Sequence, residues 1–283
     1  MKKRRWEERI ALGFMLITAA IILVSLFWIL GTILVRGVSA LNWSMIFQTP
    51  KGGYYLGKEG GILNAILGSL FLAGGATLIA LVVALPVAFY LNVFLRNGSR
   101  LAGFARFSLD VMSGIPSIVF GAVGFILMTL LGLRTSLLAG MLTVALLILP
   151  IMIRAMDEVF RLVPREILEA SFALGANRYE TSMRVMIRQC FPGIVTAVLL
   201  ALGRGIGDAA SVLFTAGFTD HLPDSLFRPA ATLPLAILFQ VESPLPQVQK
   251  RAYAAALILT LIILIISLVS RWISSRFSRH IIR

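Results

Sequence analysis

The sequence is poor in the groups that most chemistry needs. A single cysteine, Cys190, excludes an intrachain disulfide and supplies no metal-ligand cluster, so nothing speaks for a redox or zinc role. No glycine-rich phosphate loop with Lys-Ser or Lys-Thr occurs, and no nucleophile is set beside a base. The chain is therefore not read as an enzyme, no cofactor is expected, and any energy from ATP has to come from another chain. Charge is scarce too: 14% of the residues are charged against 58% hydrophobic, and the mean hydropathy is +0.91. Such a balance excludes a soluble domain of 283 residues and leaves an integral membrane protein. Acids are scarcer than bases, 13 against 26, for a formal net charge of +13. The basic residues are spread among loop positions and are not interleaved with aromatics on a polar domain. The excess therefore fits membrane orientation, not nucleic acid.

Six runs are long enough to cross about 30 Å of hydrocarbon. They cover roughly 10–35, 62–94, 102–131, 137–156, 191–216 and 251–273. The expected fold is all-α, a polytopic bundle of six transmembrane helices in the lipid bilayer. With the N-terminus inside, the inside segments hold 18 Lys and Arg and the outside segments 7, leaving Arg204 alone within the fifth span. That bias predicts cytoplasmic N- and C-termini, and a cytoplasmic location for the polar stretch between spans four and five. Lys2, Lys3, Arg4 and Arg5 resemble the charged region of a signal peptide. The apolar run after them is too long for one and lacks a small-residue cleavage site, so span one is read as a retained anchor. Trp43, Phe47, Tyr54 and Tyr55 suit a headgroup-level belt, with contact to an external partner as the alternative. Gly68, Ser69, Gly74 and Gly75 permit close packing of span two. Beyond Gly217, a proline-rich loop with a short helix near Leu233 to Phe239 is expected, and His221 reads as a loop residue rather than a ligand.

The polar stretch from Pro164 to Pro192 predicts a helix-turn-helix. Pro164 can open a helix to Leu174, Gly175 can take the left-handed C′ conformation, and Asn177 with Glu180 can form a capping box on a second helix toward Gln189. Glu169-Ala170-Ser171, three residues, then Gly175 resembles the EAA loop of ABC importer permeases. Val185 stands at that motif's Ile, whereas Ile187-Arg188 replaces its Leu-Pro. Ala170, Ser171 and Ala173 would leave one helix face low for a partner, with Glu169 offering a carboxylate. An ordinary amphipathic surface helix is the plainer alternative.

Two features lie within spans. In span three, Ser113-Gly114-Ile115-Pro116-Ser117 should interrupt the helix, either as a simple proline kink or as a break that turns free N–H groups and a positive half-helix end toward an anion. In span five, Leu202-Gly203-Arg204-Gly205-Ile206-Gly207-Asp208 sets an arginine roughly 20 Å from Phe191 if the span is helical. A charge at that depth is costly and points to function. Asp208 at i+4 leaves a structural ion pair open as the alternative.

The resemblance extends further. Gly60 to Ile66, Ser113 to Gly121 and Gly207 to Ala216 are similar to the PstA-type permeases of bacterial phosphate ABC importers, together covering most of 60–273. In the last segment Asp208, Ala209 and Ser211 replace the family's Glu, Thr and Pro. The resemblance implies a type I importer (MetI-like) permease fold and a bacterial inner-membrane location. It also implies three segments: an N-terminal part over 1–59, the permease domain over 60–273 with its coupling hairpin at 157–190, and a basic tail over 274–283. The implied partners are a PstC-like permease, a PstB-like ATPase dimer under the EAA loops, a PstS-like phosphate-binding protein, and phosphate itself. Glu169, Ala170, Ser171 and Gly175 would couple to the ATPase, while Arg204, Asp208, Gly114 and Ser117 would line the translocation path. Phosphonate, sulfate and molybdate are alternative oxyanions. An ion-coupled secondary transporter would predict inverted repeats, which the sequence does not display, and a structural or sensory membrane subunit would not need the mid-membrane arginine.

Overall fold

A computed structural model describes residues 2–51, 59–95 and 99–277. Of the residues considered above, Tyr54, Tyr55 and positions 278–283 of the basic tail lie outside the described residues. The elements are α1 (Lys2–Ala40), α2 (Trp43–Phe47), β1 (Pro50–Lys51), β2 (Glu59–Gly60), α3 (Leu63–Phe89), α4 (Arg100–Gly114), α5 (Ser117–Leu130), α6 (Leu137–Arg161), α7 (Arg165–Ala173), α8 (Arg178–Glu180), α9 (Ile187–Ile206), α10 (Leu233–Val241) and α11 (Pro246–Phe277). A π-helical stretch, Tyr90–Phe94, extends α3, and a second, Thr181–Met186, joins α8 to α9. Among the described residues five rods are long and apolar enough to cross a membrane, and α4 with α5, bent by 99°, counts as a sixth if the pair is one span and not a re-entrant loop.

The bundle is built around α6, which touches α3, α4, α5 and α9. Alanines on α3 explain its close fit: Ala73, Ala76, Ala80, Ala84 and Ala88 recur every three or four residues and are all buried, so the α6 backbone can come near. The glycines expected to do this divide the work. Gly75 lies against Met141 of α6, Gly68 against the Ala231 carbonyl, and Gly74 faces open space. Ser69 accepts the Leu233 N–H at 2.7 Å, which fixes the start of α10 on α3. The short helix expected over Leu233 to Phe239 is α10.

At the opposite end from the hairpin, α2 covers the N-terminus of α3. Ile62 N–H donates to the Met45 carbonyl (2.9 Å) and Leu63 N–H to that of Gln48 (3.1 Å), so the last carbonyls of one helix satisfy the first donors of the next. Trp43 and Phe47 stack at 5.7 Å and are exposed. The long α1 has little buried surface and lies along α11, where the Arg36 guanidinium sits 5.1 Å from the Tyr253 ring centre and donates to its hydroxyl at 2.9 Å.

Span boundaries differ from expectation in three places. Span four continues to Arg161, and span six covers Pro246–Phe277. Span five starts at Arg178 and ends at Ile206, not Ala216. It ends there because Gly205 and Gly207 weaken the helix and the Asp208 carboxylate accepts the Ser211 N–H at 2.8 Å, drawing the chain into turns that run to Ala216.

Candidate functional site

The hairpin forms as its caps dictate. Gly175 has φ +85°, its N–H donates to the Phe172 carbonyl (2.9 Å), and the Ala176 N–H donates to that of Ser171 (3.2 Å), which is the Schellman pattern. Two residues on, Asn177 accepts the Glu180 N–H at 2.9 Å while Glu180 accepts the Asn177 N–H at 3.0 Å, closing the capping box. The second arm does not stop at Gln189: it passes through the π-helical stretch into α9 and forms one rod, Arg178–Ile206, of 29 residues. The hairpin's second arm and the span that holds Arg204 are therefore one continuous rod.

One of the four residues expected on the hairpin's docking face turns inward. Ser171 is buried, and its hydroxyl lies 3.0 Å from that of Thr181, bracing one arm on the other. Glu169, Ala170 and Ala173 are exposed, with Phe172 beside them and Leu174 at 89% exposure. The low outer face thus consists of Glu169, Ala170 and Ala173, and Ser171 supports it from behind. Arg178 anchors the second arm by donating to the Phe94 carbonyl at the end of α3 (2.8 Å).

Next to the hairpin lies a charge cluster that the sequence analysis does not identify, where position 157 enters only as the start of the coupling hairpin. Asp157 is fully buried. It accepts from Arg106 Nε (2.9 Å) and Nη2 (3.0 Å) and from Asn92 Nδ2 (2.8 Å), with Arg161 Nε at 3.3 Å and Arg154 Nη1 at 3.5 Å. Arg154 also pairs with Asp110 at 2.8 Å. The first half of the bent pair, α4, is thereby clamped to the last turns of α6. A reciprocal pattern marks the cluster in the sequence: Arg106 and Asp110 at i,i+4 can face Asp157 and Arg154 at i,i+3.

Farther along, Arg204 Nη1 donates to Asp208 Oδ1 at 2.7 Å. The two ends of this pair differ. The Asp208 side chain is 4% exposed and spends its other oxygen on Ser211, whereas the Arg204 side chain is 43% exposed and lines an open crevice. Gly205 beside it meets Val144 and Ile148 of α6, and Gly207 meets Ile263 of α11. All three lie near the middle of their spans, so the arginine sits at mid-bundle depth.

The interruption of span three falls at Ile115-Pro116, and a 99° bend is far more than a proline kink. Gly114 is exposed, Ser117 half-buried, and α5 starts with no side-chain cap. The break reaches the Arg204–Asp208 pair through α5. Gly121 lies against the Ala210 and Ser211 carbonyls, where an added Cβ would be only 2.9 Å from each oxygen, and Phe125 meets Phe214 edge-on at 6.3 Å. Gly114 and Ser117 make no hydrogen bond to Arg204 or Asp208 among the described residues. The arrangement can hold an anion beside a half-open guanidinium, and the described residues contain no group of three or more His, Cys, Asp and Glu able to hold a metal.

The comparisons with known proteins agree with this geometry. The sequence profile of the binding-protein-dependent transport system inner membrane component family matches residues 80–283. The chain belongs to that family, and it is a multi-pass inner-membrane transporter subunit, not an enzyme. Over nearly its whole length it is similar to PstA permeases within it. The phosphate transport system permease protein PstA of Haemophilus influenzae is 34% identical over 269 residues, covering 95% of this chain and 94% of that one. PstA 1 of Mycobacterium tuberculosis H37Rv is 32% identical, covering 98% and 91%. The probable ABC transporter permease protein YqgI of Bacillus subtilis is 30% identical, covering 96% of each. Among solved structures, a chain of the MetNI methionine ABC transporter in an inward-facing conformation superposes with a TM-score of 0.60 at 17% identity, covering 76% of this chain and 95% of that one. The fold is that of a type I ABC importer permease.

Proposed function

We propose that the chain is the permease subunit of an ATP-driven importer for inorganic phosphate, with residues 60–273 as its permease domain. The observation that carries the anion assignment is the asymmetric Arg204–Asp208 pair, a buried acid holding a half-open guanidinium at mid-bundle depth. Arginine's planar fork suits a tetrahedral oxyanion, and a charge kept at that depth needs a use. Likeness to PstA over nearly the whole chain supports phosphate among the oxyanions.

In this reading both termini and the hairpin are cytoplasmic, in keeping with the distribution of Lys and Arg. Glu169, Ala170 and Ala173 meet a PstB-like ATPase, with Gly175 and Ser171 setting the hairpin's shape. A PstC-like permease completes the path, and a PstS-like binding protein delivers phosphate from outside. ATP-dependent closure of the ATPases pushes the hairpin, and the Arg178–Ile206 rod and the Asp157 clamp carry the motion to Arg204 and to the Gly114–Ser117 break as rigid bodies. The test is solute uptake by the reconstituted complex, with phosphate competed by sulfate, molybdate and phosphonate. Phosphate uptake that resists the three competitors is expected, and preferential uptake of any of them would reassign the substrate.

A further inference from the structure

Between α9 and α11 an open crevice of about 760 Å³ extends from Arg204 toward the hairpin end. Its α11 wall carries Ser267, Ser270, Arg271 and Ser274, at i, i+3, i+4 and i+7, which is one face of a helix. Ile263 lies against Gly207, so the level of Arg204 falls about one turn farther along α11, near Ile266, and Arg271 lies five residues, or roughly 7.5 Å, beyond that. No acidic side chain lines the crevice, and Arg271 makes no ion pair among the described residues. A crevice whose largely apolar walls carry two guanidiniums and a line of serine hydroxyls, with no carboxylate in the lining, suits an anion.

We infer that this crevice is a second oxyanion site, on the hairpin side of Arg204, in which Arg271 receives the tetrahedral anion that Arg204 has held. The inference rests on the oxyanion-permease reading and adds the direction of exit. Ser267 and Ser270 donate hydroxyl hydrogen bonds along the way and Ser274 does so beyond Arg271, replacing part of the ion's water. Two separated, moderate sites let an ion leave where one tight site would retain it. The charge on Arg271 is thereby used, whereas a simple inside-positive anchor would have no need of the serine face.

The complete reconstituted complex provides the test, with inorganic phosphate as the probe. Ser270→Cys and, on another face of α11, Val269→Cys are treated with a negatively charged, membrane-impermeant methanethiosulfonate reagent; the native Cys190 is buried and gives a low background. Ser270→Cys should react at least about tenfold faster, since the reagent needs hydrated, cationic surroundings, and excess phosphate should slow it. Arg271→Gln should cut phosphate uptake about tenfold, as loss of a charge-assisted contact does, while ATPase stimulation persists and Arg271→Lys restores part of the uptake. Equal labelling of the two cysteines, or labelling indifferent to phosphate, overturns the second site. Arg204→Gln, measured alongside, separates the two levels: if it is inactive while Ser270→Cys is unprotected, only the second site falls. If Arg204→Gln transports phosphate normally, the anion role of Arg204 and the handover to Arg271 fall, and absence of phosphate uptake by the wild-type complex would remove the permease reading beneath them.

Discussion

Arg106 of α4 grips Asp157 of α6 with two parallel bonds, Nε to Oδ2 at 2.9 Å and Nη2 to Oδ1 at 3.0 Å, and the acid is fully buried. Such a forked pair fixes orientation as well as distance. It ties α4, the first half of the bent pair, to the last turns before the hairpin. Breaking a buried pair from one side leaves an uncompensated charge and costs about 3–5 kcal/mol. Asp157→Asn should therefore lower the yield and thermal stability of the detergent-extracted protein, and Arg106→Gln in the same chain should recover part of the loss. A fully stable single variant would mean that the clamp is not structural.

Gly175 supports the turn through its φ of +85°. A β-branched residue there costs about 1–3 kcal/mol in backbone strain, and the added side chain itself meets open space. Gly175→Val should leave membrane insertion intact while ATPase association or stimulated hydrolysis falls. Normal coupling in that variant would count decisively against the hairpin's role.

Ser171 and Ala170 are neighbours with opposite duties, one braced on Thr181 and one exposed. Ser171→Ala removes a single buried hydrogen bond worth about 1 kcal/mol and should reduce stability slightly with coupling retained. Ala170→Trp raises the low face and should block ATPase binding without loss of stability. Co-purification of the ATPase with each variant separates the two, and a reversal of the pattern would mean that the faces are assigned wrongly.

Gly121 is the point where α5 meets the turn beyond Asp208. Gly121→Val would force these backbones apart, and overpacking typically costs about 1–3 kcal/mol. The variant should lose uptake more than assembly, because the displaced turn holds Asp208 through Ser211. Wild-type uptake in Gly121→Val would show that the break and the ion pair act independently.

What could be read from the sequence depended on how local the signal was. The hairpin was legible almost residue by residue because Pro164, Gly175, Asn177 and Glu180 each fix a backbone conformation by their own chemistry. The break at Pro116 was legible for the same reason, though its 99° bend was not, since the angle depends on what α4 packs against. Span five ends at Ile206 instead of Ala216 because Gly205, Gly207 and the bond from the Ser211 N–H to Asp208 together outweigh the apolar run that follows. Ser171 turned inward because its partner, Thr181, sits across a turn whose geometry the motif alone does not give. Asp157 stayed hidden because its main partners, Asn92 and Arg106, lie 65 and 51 residues away. The alanine stripe of α3 was overlooked beside the glycines, although its spacing carries the same information.

Phosphate uptake by proteoliposomes containing the complete complex, measured with Arg204 and Asp208 variants, tests the central claim most directly. If Arg204 serves the anion, Arg204→Gln abolishes uptake with the complex intact, Asp208→Asn impairs it less, and Arg204→Lys, lacking the planar fork, restores only part. The double variant Arg204→Gln with Asp208→Asn then stays inactive. A purely structural pair behaves otherwise: each single variant destabilises the complex, and the double neutral replacement restores assembly and uptake together. Restored transport in the double variant would contradict the anion-path assignment.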